Sequence, residues 1–142
     1  MKEYHLEGSR ITDLQSFLKE FGEMVNGAGG YFGTDLFQFD DCLFGYGGLE
    51  YPCEIIWANH DVSKIPLNKE MLIQGYTKML KSFEADFENN KDDIFVIDMM
   101  DYYRGRIKDA NNNEYTLFDE IVSIIESAPK RNKHCQIKLT LK

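Results

Sequence analysis

Apolar side chains recur every three or four residues in four stretches of the chain, the spacing that places them on one face of an α-helix. The first stretch follows Thr12, which begins a capping box with Gln15, and it stops at the glycine-rich run 27–30. It predicts a helix that ends near Asn26. The residues on its buried face are Leu14, Phe17, Leu18, Phe21 and Val25.

The other three stretches predict helices of different lengths. The second helix covers residues 35–44 with Thr34 as its cap, the third covers residues 68–88, and the fourth stops near Pro129. Their inward-facing residues, in chain order, are Leu36, Phe39 and Leu43; Leu72, Tyr76, Met79, Leu80, Phe83 and Phe87; and Phe118, Ile121, Val122 and Ile125.

Short runs of bulky apolar residues between the helices predict β-strands. Three such runs are residues 3–6, 53–57 and 135–141. Residues 94–97 favour a further strand, and residues 103–107 pair with 115–117 as a possible hairpin across the polar run 109–113. Strands separated by helices imply crossover connections, so we expect an α/β fold with a mainly parallel sheet covered by helices.

The composition is that of one compact, acidic domain. The chain has 142 residues, of which 43% are hydrophobic and 13% aromatic, enough to build a core without disulfides or metals. Asp and Glu outnumber Lys and Arg by 24 to 16, and the net charge is −8. Such a field repels nucleic acid and favours a basic partner, although the same charge also serves plain solubility.

The sequence contains no pattern typical of membrane insertion or secretion. No apolar run approaches the ~18 residues that a membrane span requires, and the first residues lack the basic and apolar regions of a signal peptide. We therefore expect a cytoplasmic protein that does not bind membranes. The three cysteines, Cys42, Cys53 and Cys135, lie in apolar stretches without metal-ligand spacing, which predicts buried free thiols.

Known catalytic and cofactor motifs are absent from the sequence. His5, His60 and His134 are widely separated, and the glycine-rich run 27–30 follows a helix and lacks the residues of a phosphate-binding loop. We expect no cofactor, no metal and no enzymatic activity. The acidic residues of 84–101 favour a solvated face, and a small metal-dependent hydrolase that uses Asp92, Asp93, Asp98 and Asp101 remains an alternative.

Two adjacent aspartates, Asp40 and Asp41, lie among several aromatic residues on the second predicted helix and beside it. Aromatic anchors combined with a few carboxylates are typical of an interface that pairs with cations on another protein. The alternative is that the rings belong to the core and the aspartates are merely solvated. The aromatic residues are Tyr31, Phe32, Phe37, Phe44 and Tyr46.

The order of motifs around this helix resembles the barstar family of ribonuclease inhibitors. Tyr31-Phe32-Gly33 is followed by an acidic patch, then by the run Asp41-Cys42-Leu43-Phe44-Gly45-Tyr46, then by Tyr51-Pro52 and by a strand that ends in Trp57. The resemblance covers residues 1 to about 60 and, more weakly, 115–142. It implies a single domain over 1–142 with a three-stranded parallel sheet and an insertion at about 61–114. The hydrophobic pattern places an additional helix and the extra strand or hairpin in this insertion.

The resemblance also implies a function and a set of contact residues. The second helix and its preceding loop would block the active site of a basic nuclease toxin, as in an immunity protein that is a monomer when free. Asp41 falls on the dominant aspartate of the family, while Phe37 and Asp40 depart from its pattern. The expected partner-binding residues are Tyr31, Phe32, Gly33, Asp35, Phe37, Asp40, Asp41, Phe44, Gly45, Tyr46 and Glu126, the last in a loose register with Ser127. A binding module of the same fold for a non-ribonuclease toxin or a regulatory enzyme is the alternative.

Overall fold

The structure, a computed structural model, describes residues 1–142. The chain divides into two compact units: unit 1 comprises Met1–Leu67 and Phe118–Lys142, and unit 2 comprises Asn68–Leu117. Three strands and six helices follow one another as β1 (Lys2–Glu7), α1 (Leu14–Asn26), α2 (Leu36–Asp41), β2 (Cys53–Ala58), α3 (His60–Lys64), α4 (Lys69–Asn89), α5 (Ile94–Asn111), α6 (Leu117–Arg131) and β3 (Ile137–Leu141). One domain with an insertion at about 61–114 remains a prediction.

The sheet of unit 1 has the strand order β1-β2-β3, and both pairs of neighbours are parallel. β2 is central, so that Ile55 lies between Tyr4 of β1 and Leu139 of β3. Parallel neighbours require crossover connections, and helices occupy the chain between β1 and β2 and again between β2 and β3. The predicted α/β class with a three-stranded parallel sheet is confirmed.

Aromatic rings join the helices of unit 1 to its sheet. Phe17 of α1 stacks on Trp57 of β2 with 5.4 Å between ring centroids and meets Phe39 of α2 edge-on at 5.3 Å. Phe21, one turn further along α1, contacts Phe39 at 4.9 Å. The indole N–H of Trp57 donates to Ser63 Oγ at 3.1 Å, so the buried ring leaves no donor unsatisfied. These contacts confirm the predicted inward faces of the first two helices.

Both helices of the first crossover are capped one residue later than predicted. Asp13, not Thr12, caps α1: its carboxylate accepts from the Ser16 amide at 2.7 Å, and Ser16 Oγ accepts from the Asp13 amide at 3.0 Å. Asp35, not Thr34, caps α2 by accepting from the amide three residues later at 2.8 Å. A carboxylate is favoured at this position because its charge also interacts with the positive end of the helix dipole.

Unit 2 is helical where the sequence predicted a strand and a hairpin. The prediction of strands at 94–97 and 103–107 is wrong, because these residues belong to α5, and residues 115–117 form no strand either. The buried residues Val96, Met100 and Tyr103 recur at helical spacing, and Tyr103 packs on Tyr76 of α4 at 4.7 Å between centroids. Packing on α4 therefore overrides the local β preference of the apolar residues.

The last helix of unit 1 also extends further than the sequence predicted. α6 continues past Pro129 to Arg131, whereas a stop near Pro129 was expected. A proline near the carboxyl end removes one amide donor, but the residues after it still bond backward: the Asn132 amide donates to the Ala128 carbonyl at 2.9 Å. The extension matters because it adds Arg131 to the helix.

The cysteines are buried and unpaired with one another, as predicted. Burial, and then the neighbouring Cys135, raise the pKa of the Cys53 thiol to about 11. Burial, and then the adjacent Asp41 charge, also raise the pKa of Cys42. None of the helices combines the length and apolar character that crossing a membrane would require.

Candidate partner-binding surface

The loop before α2 approaches that helix closely because of Gly33. Gly33 has a φ of +94°, and a Cβ atom at this position would lie 2.7 Å from the amide nitrogen of Phe39. A side chain would therefore meet backbone that cannot move independently of the helix. The glycine lets residues 31–34 lie against α2.

Gln38 holds this loop against α2 through a single oxygen. Its Oε1 accepts from the Thr34 amide at 2.9 Å, from Thr34 Oγ1 at 2.7 Å and from the Tyr31 hydroxyl at 2.8 Å. Tyr31 is itself 59% exposed, so its ring is presented to solvent while its hydroxyl is fixed. The sequence reading did not single out Gln38.

Asn26, the last residue of α1, connects the loop before α2 with the chain after it. Its side-chain amide donates to the Gly47 carbonyl at 2.7 Å and to the Tyr31 carbonyl at 3.3 Å. Gly47 is buried, so its carbonyl requires a partner from the protein. Asn26 was predicted only as a helix end, because its partners are identified by the tertiary structure.

α2 ends in a wide turn rather than continuing to Phe44 as predicted. Residues Cys42–Tyr46 form a π-type turn that the Gly47 amide closes onto the Cys42 carbonyl at 3.1 Å. Within it Phe44 leaves the helical conformation and Gly45 has a φ of +123°. We call these residues the 42–46 turn.

The 42–46 turn is anchored from within by the carbonyl of Leu43. This oxygen accepts hydrogen bonds from the Tyr51 hydroxyl and, at 3.4 Å, from Cys135 Sγ. Burial, together with Cys135, raises the pKa of Tyr51 well above its usual value, so the phenol stays protonated and keeps donating. Tyr51 and Cys135 therefore hold the turn against the core.

The predicted partner-binding residues differ in exposure. Asp35, Phe37, Asp40 and Phe44 are half-buried, whereas Tyr31, Asp41, Gly45, Tyr46 and Glu126 are exposed. Gly33 is buried, and Phe32 is only 1% exposed and packs on Phe21 at 4.6 Å between centroids. Phe32, which the sequence predicted as a contact, thus supports the surface from inside in the free chain. Tyr46 is the opposite case, with 89% of its surface exposed.

The two adjacent aspartates have different environments. Asp40 forms a bidentate ion pair with Arg131, with both N–O distances at 2.8 Å. The guanidinium of Arg131 also lies over the ring of Phe44, 4.7 Å from its centroid. Asp41 is exposed, and its carboxylate forms no hydrogen bond or ion pair within the chain. The sequence pattern could not distinguish the two aspartates, because Arg131 lies 91 residues away from Asp40.

The contribution of α6 to this surface is Arg131, which sequence reasoning missed. Ser127 Oγ accepts from Arg131 Nε at 3.1 Å and so helps to aim the guanidinium at Asp40. Glu126, the residue predicted on this helix, is exposed and shares no hydrogen bond or ion pair with α2. Its participation remains a prediction.

The carboxylates of the chain do not gather into a metal site. No group of three or more His, Cys, Asp or Glu side chains is arranged to hold an ion, and this includes the acidic stretch 84–101 of unit 2. Asp92, Asp93, Asp98 and Asp101, the residues of the hydrolase alternative, are therefore not brought together as a set of three or more ligands.

Comparison with known proteins identifies one family. Neither curated proteins nor solved structures include a significant match to this chain. The family model described as Barstar (barnase inhibitor) matches residues 1–98, which include α1, α2, the 42–46 turn and the first two strands. The match runs beyond residue 60, where the resemblance in the sequence ended, and it does not include residues 115–142. Because the match covers more than half of the residues, the chain belongs to the barstar family of barnase inhibitors.

Proposed function

We propose that this protein inhibits a basic nuclease by covering the active site of that enzyme with the 42–46 turn, the end of α2 and the loop before α2. The observation that carries the proposal is the state of Asp41. Its carboxylate is exposed and has no partner in the chain, and in the sequence it precedes the half-buried Phe44 by three residues and the exposed Tyr46 by five. A free carboxylate among aromatic rings is suited to pairing with cations of another protein.

The chemistry of inhibition follows from the charge of a nuclease active site. Nucleases bind phosphate through Arg, Lys and His side chains, and a carboxylate can occupy the same place as a phosphate oxygen. Tyr31, in the loop before α2, and Tyr46, in the 42–46 turn, have exposed rings, and such rings can exclude water from a charge pair in a complex. The net charge of −8 accelerates encounter with a basic enzyme. We place this action in the cytoplasm as an immunity function, where free thiols stay reduced.

The experiment is to replace Asp41 and measure inhibition. The probes are barnase, the enzyme named in the family description, and any basic nuclease encoded beside the gene for this chain. Asp41→Asn should change the free energy of unfolding by less than about 0.5 kcal/mol, because the side chain is exposed and unpaired. Loss of one partner of a buried charge pair costs about 2–5 kcal/mol, a range whose measurements include the barnase–barstar complex, or about 30- to 5,000-fold in affinity.

A matched control separates the position of the charge from its amount. Asp61→Asn on α3 removes the same charge from another exposed site of unit 1 and should leave inhibition within about twofold. Equal inhibition by Asp41→Asn and Asp61→Asn would remove Asp41 from the interface. Failure of the wild-type protein to inhibit either probe would overturn the proposal as a whole.

A second candidate function is a protein-binding module whose contact surface lies in unit 2. Residues 84–101 carry seven acidic side chains and one lysine, a net charge of −6 out of the total of −8. Ile94 and Phe95 in this stretch are 72% and 52% exposed. If Asp41→Asn leaves binding intact while Ile94→Ser abolishes it, this second function is favoured over nuclease inhibition.

A further inference from the structure

The side chain of Arg131 is held within the chain by four hydrogen bonds and an aromatic ring. Its guanidinium donates to both oxygens of Asp40 at 2.8 Å, to Ser127 Oγ at 3.1 Å and to the Ile124 carbonyl at 3.1 Å. One face of the guanidinium is covered by Phe44. Its orientation is therefore determined by the chain itself, before any partner binds.

These contacts leave Arg131 little capacity to bind another molecule. An arginine has five N–H donors, and four of them are used within the chain. The pair with Asp40 is also partly shielded, because the side chains of Arg131 and Asp40 are only 38% and 33% exposed. Each oxygen of Asp40 already accepts from the same guanidinium, which also compensates its charge, so this carboxylate is less suited than Asp41 to pair with a cation of the partner.

We infer that Arg131 is a positioning residue of the inhibitory surface: it binds Asp40 and covers Phe44, and so fixes the end of α2 and the 42–46 turn, leaving Asp41 as the carboxylate that meets the partner. This inference rests on the proposed function. Leu43 is held from the core side by Tyr51 and Cys135, and Arg131 provides the corresponding contact at the solvent side of the turn.

Removing the charge of Arg131 should have two opposing effects on binding. Removing a positive charge from an acidic surface should speed association with a basic enzyme and, if Asp40 were itself a contact, strengthen binding by releasing that carboxylate. If Arg131 is a positioning residue, its removal should instead make the complex dissociate faster. The released turn has to be ordered again in the complex, which weakens binding although the net charge becomes more favourable.

The test compares Arg131→Gln with Arg10→Gln, which removes the same charge from an ion pair elsewhere in unit 1. Association and dissociation rates are measured with an inactive variant of the nuclease that the wild-type protein inhibits. We expect Arg131→Gln to dissociate roughly 3- to 5-fold faster than Arg10→Gln, the scale of a partly exposed ion pair. Asp40→Asn should behave in the same way, and adding it to Arg131→Gln should cause little further change, since one contact is lost only once.

A measurement on the free protein keeps the inference independent of the partner. Amide hydrogen exchange of residues 42–47 should accelerate in Arg131→Gln, while exchange in β2 stays unchanged. Unchanged exchange in the 42–46 turn, or tighter binding by Arg131→Gln than by Arg10→Gln, would overturn the positioning role. If the wild-type protein binds no nuclease, the proposed function fails, and the exchange measurement alone decides whether Arg131 orders the turn.

Discussion

Gly33→Ala should destabilise the protein and disrupt the loop that carries Tyr31, because two separate costs arise at this position. The first is conformational: a φ of +94° is unfavourable for alanine, at about 1–2 kcal/mol. The second is steric, because the new Cβ would lie 2.7 Å from the Phe39 amide nitrogen and 3.0 Å from the Gln38 carbonyl carbon. These atoms belong to α2, and displacing a packed helix costs about 1–3 kcal/mol.

Gly45→Ala is the matched control, since it carries the first cost without the second. Gly45 has a φ of +123°, but a Cβ atom there would meet nothing within 4 Å. Gly33→Ala should therefore lower the free energy of unfolding by about 2–5 kcal/mol and Gly45→Ala by about 1–2 kcal/mol. The free energy of unfolding of a small native domain is about 5–15 kcal/mol, so both variants should still fold.

The assay is urea denaturation followed by far-ultraviolet circular dichroism. A lower midpoint with an unchanged slope identifies a loss of stability without a change in the surface exposed on unfolding. If the two variants unfold at the same urea concentration, the close approach of Gly33 to α2 contributes nothing, and the account of how this loop is positioned is wrong.

Two further predictions concern parts of the chain away from the candidate surface. Gly75→Ala in α4 and Gly105→Ala in α5 should each stabilise the protein by up to about 1 kcal/mol, since both helical sites are open and alanine has the better helix propensity; a decrease in thermal midpoint for either variant would contradict this. Hydrogen bonds from Ser9 and then Asn59 lower the pKa of Glu7 to about 2. A lowered folded-state pKa stabilises the protein above the unfolded value of 4.5, and this contribution is lost as the pH falls toward 2. Unfolding of Glu7→Gln should accordingly vary less with pH between about 4.5 and 2 than unfolding of the wild-type protein, and parallel pH profiles would refute the role of these bonds.

Much of unit 1 follows from local sequence pattern. The spacing of Phe17, Phe21 and Phe39 specifies which helix faces are buried, because a helix repeats every 3.6 residues whatever it packs against. The run Cys53–Trp57 is recognisable as a buried strand because four of its five residues are bulky or apolar. The same local information failed for residues 94–107, where short apolar runs fit a strand and a helix equally well and only packing on α4 distinguishes them.

The candidate surface, too, could be predicted from the sequence only in part. An acidic and aromatic surface around Asp40 and Asp41 could be predicted from residue types alone, since charge and ring content are properties of the sequence. The difference between the two aspartates could not, because it depends on Arg131, a residue at the far end of the chain that folding brings within 2.8 Å of Asp40. A hydrogen-bonded ion pair requires its atoms to lie within about 3–4 Å of each other in space, so the tertiary structure alone decides which carboxylate is paired and which is left free.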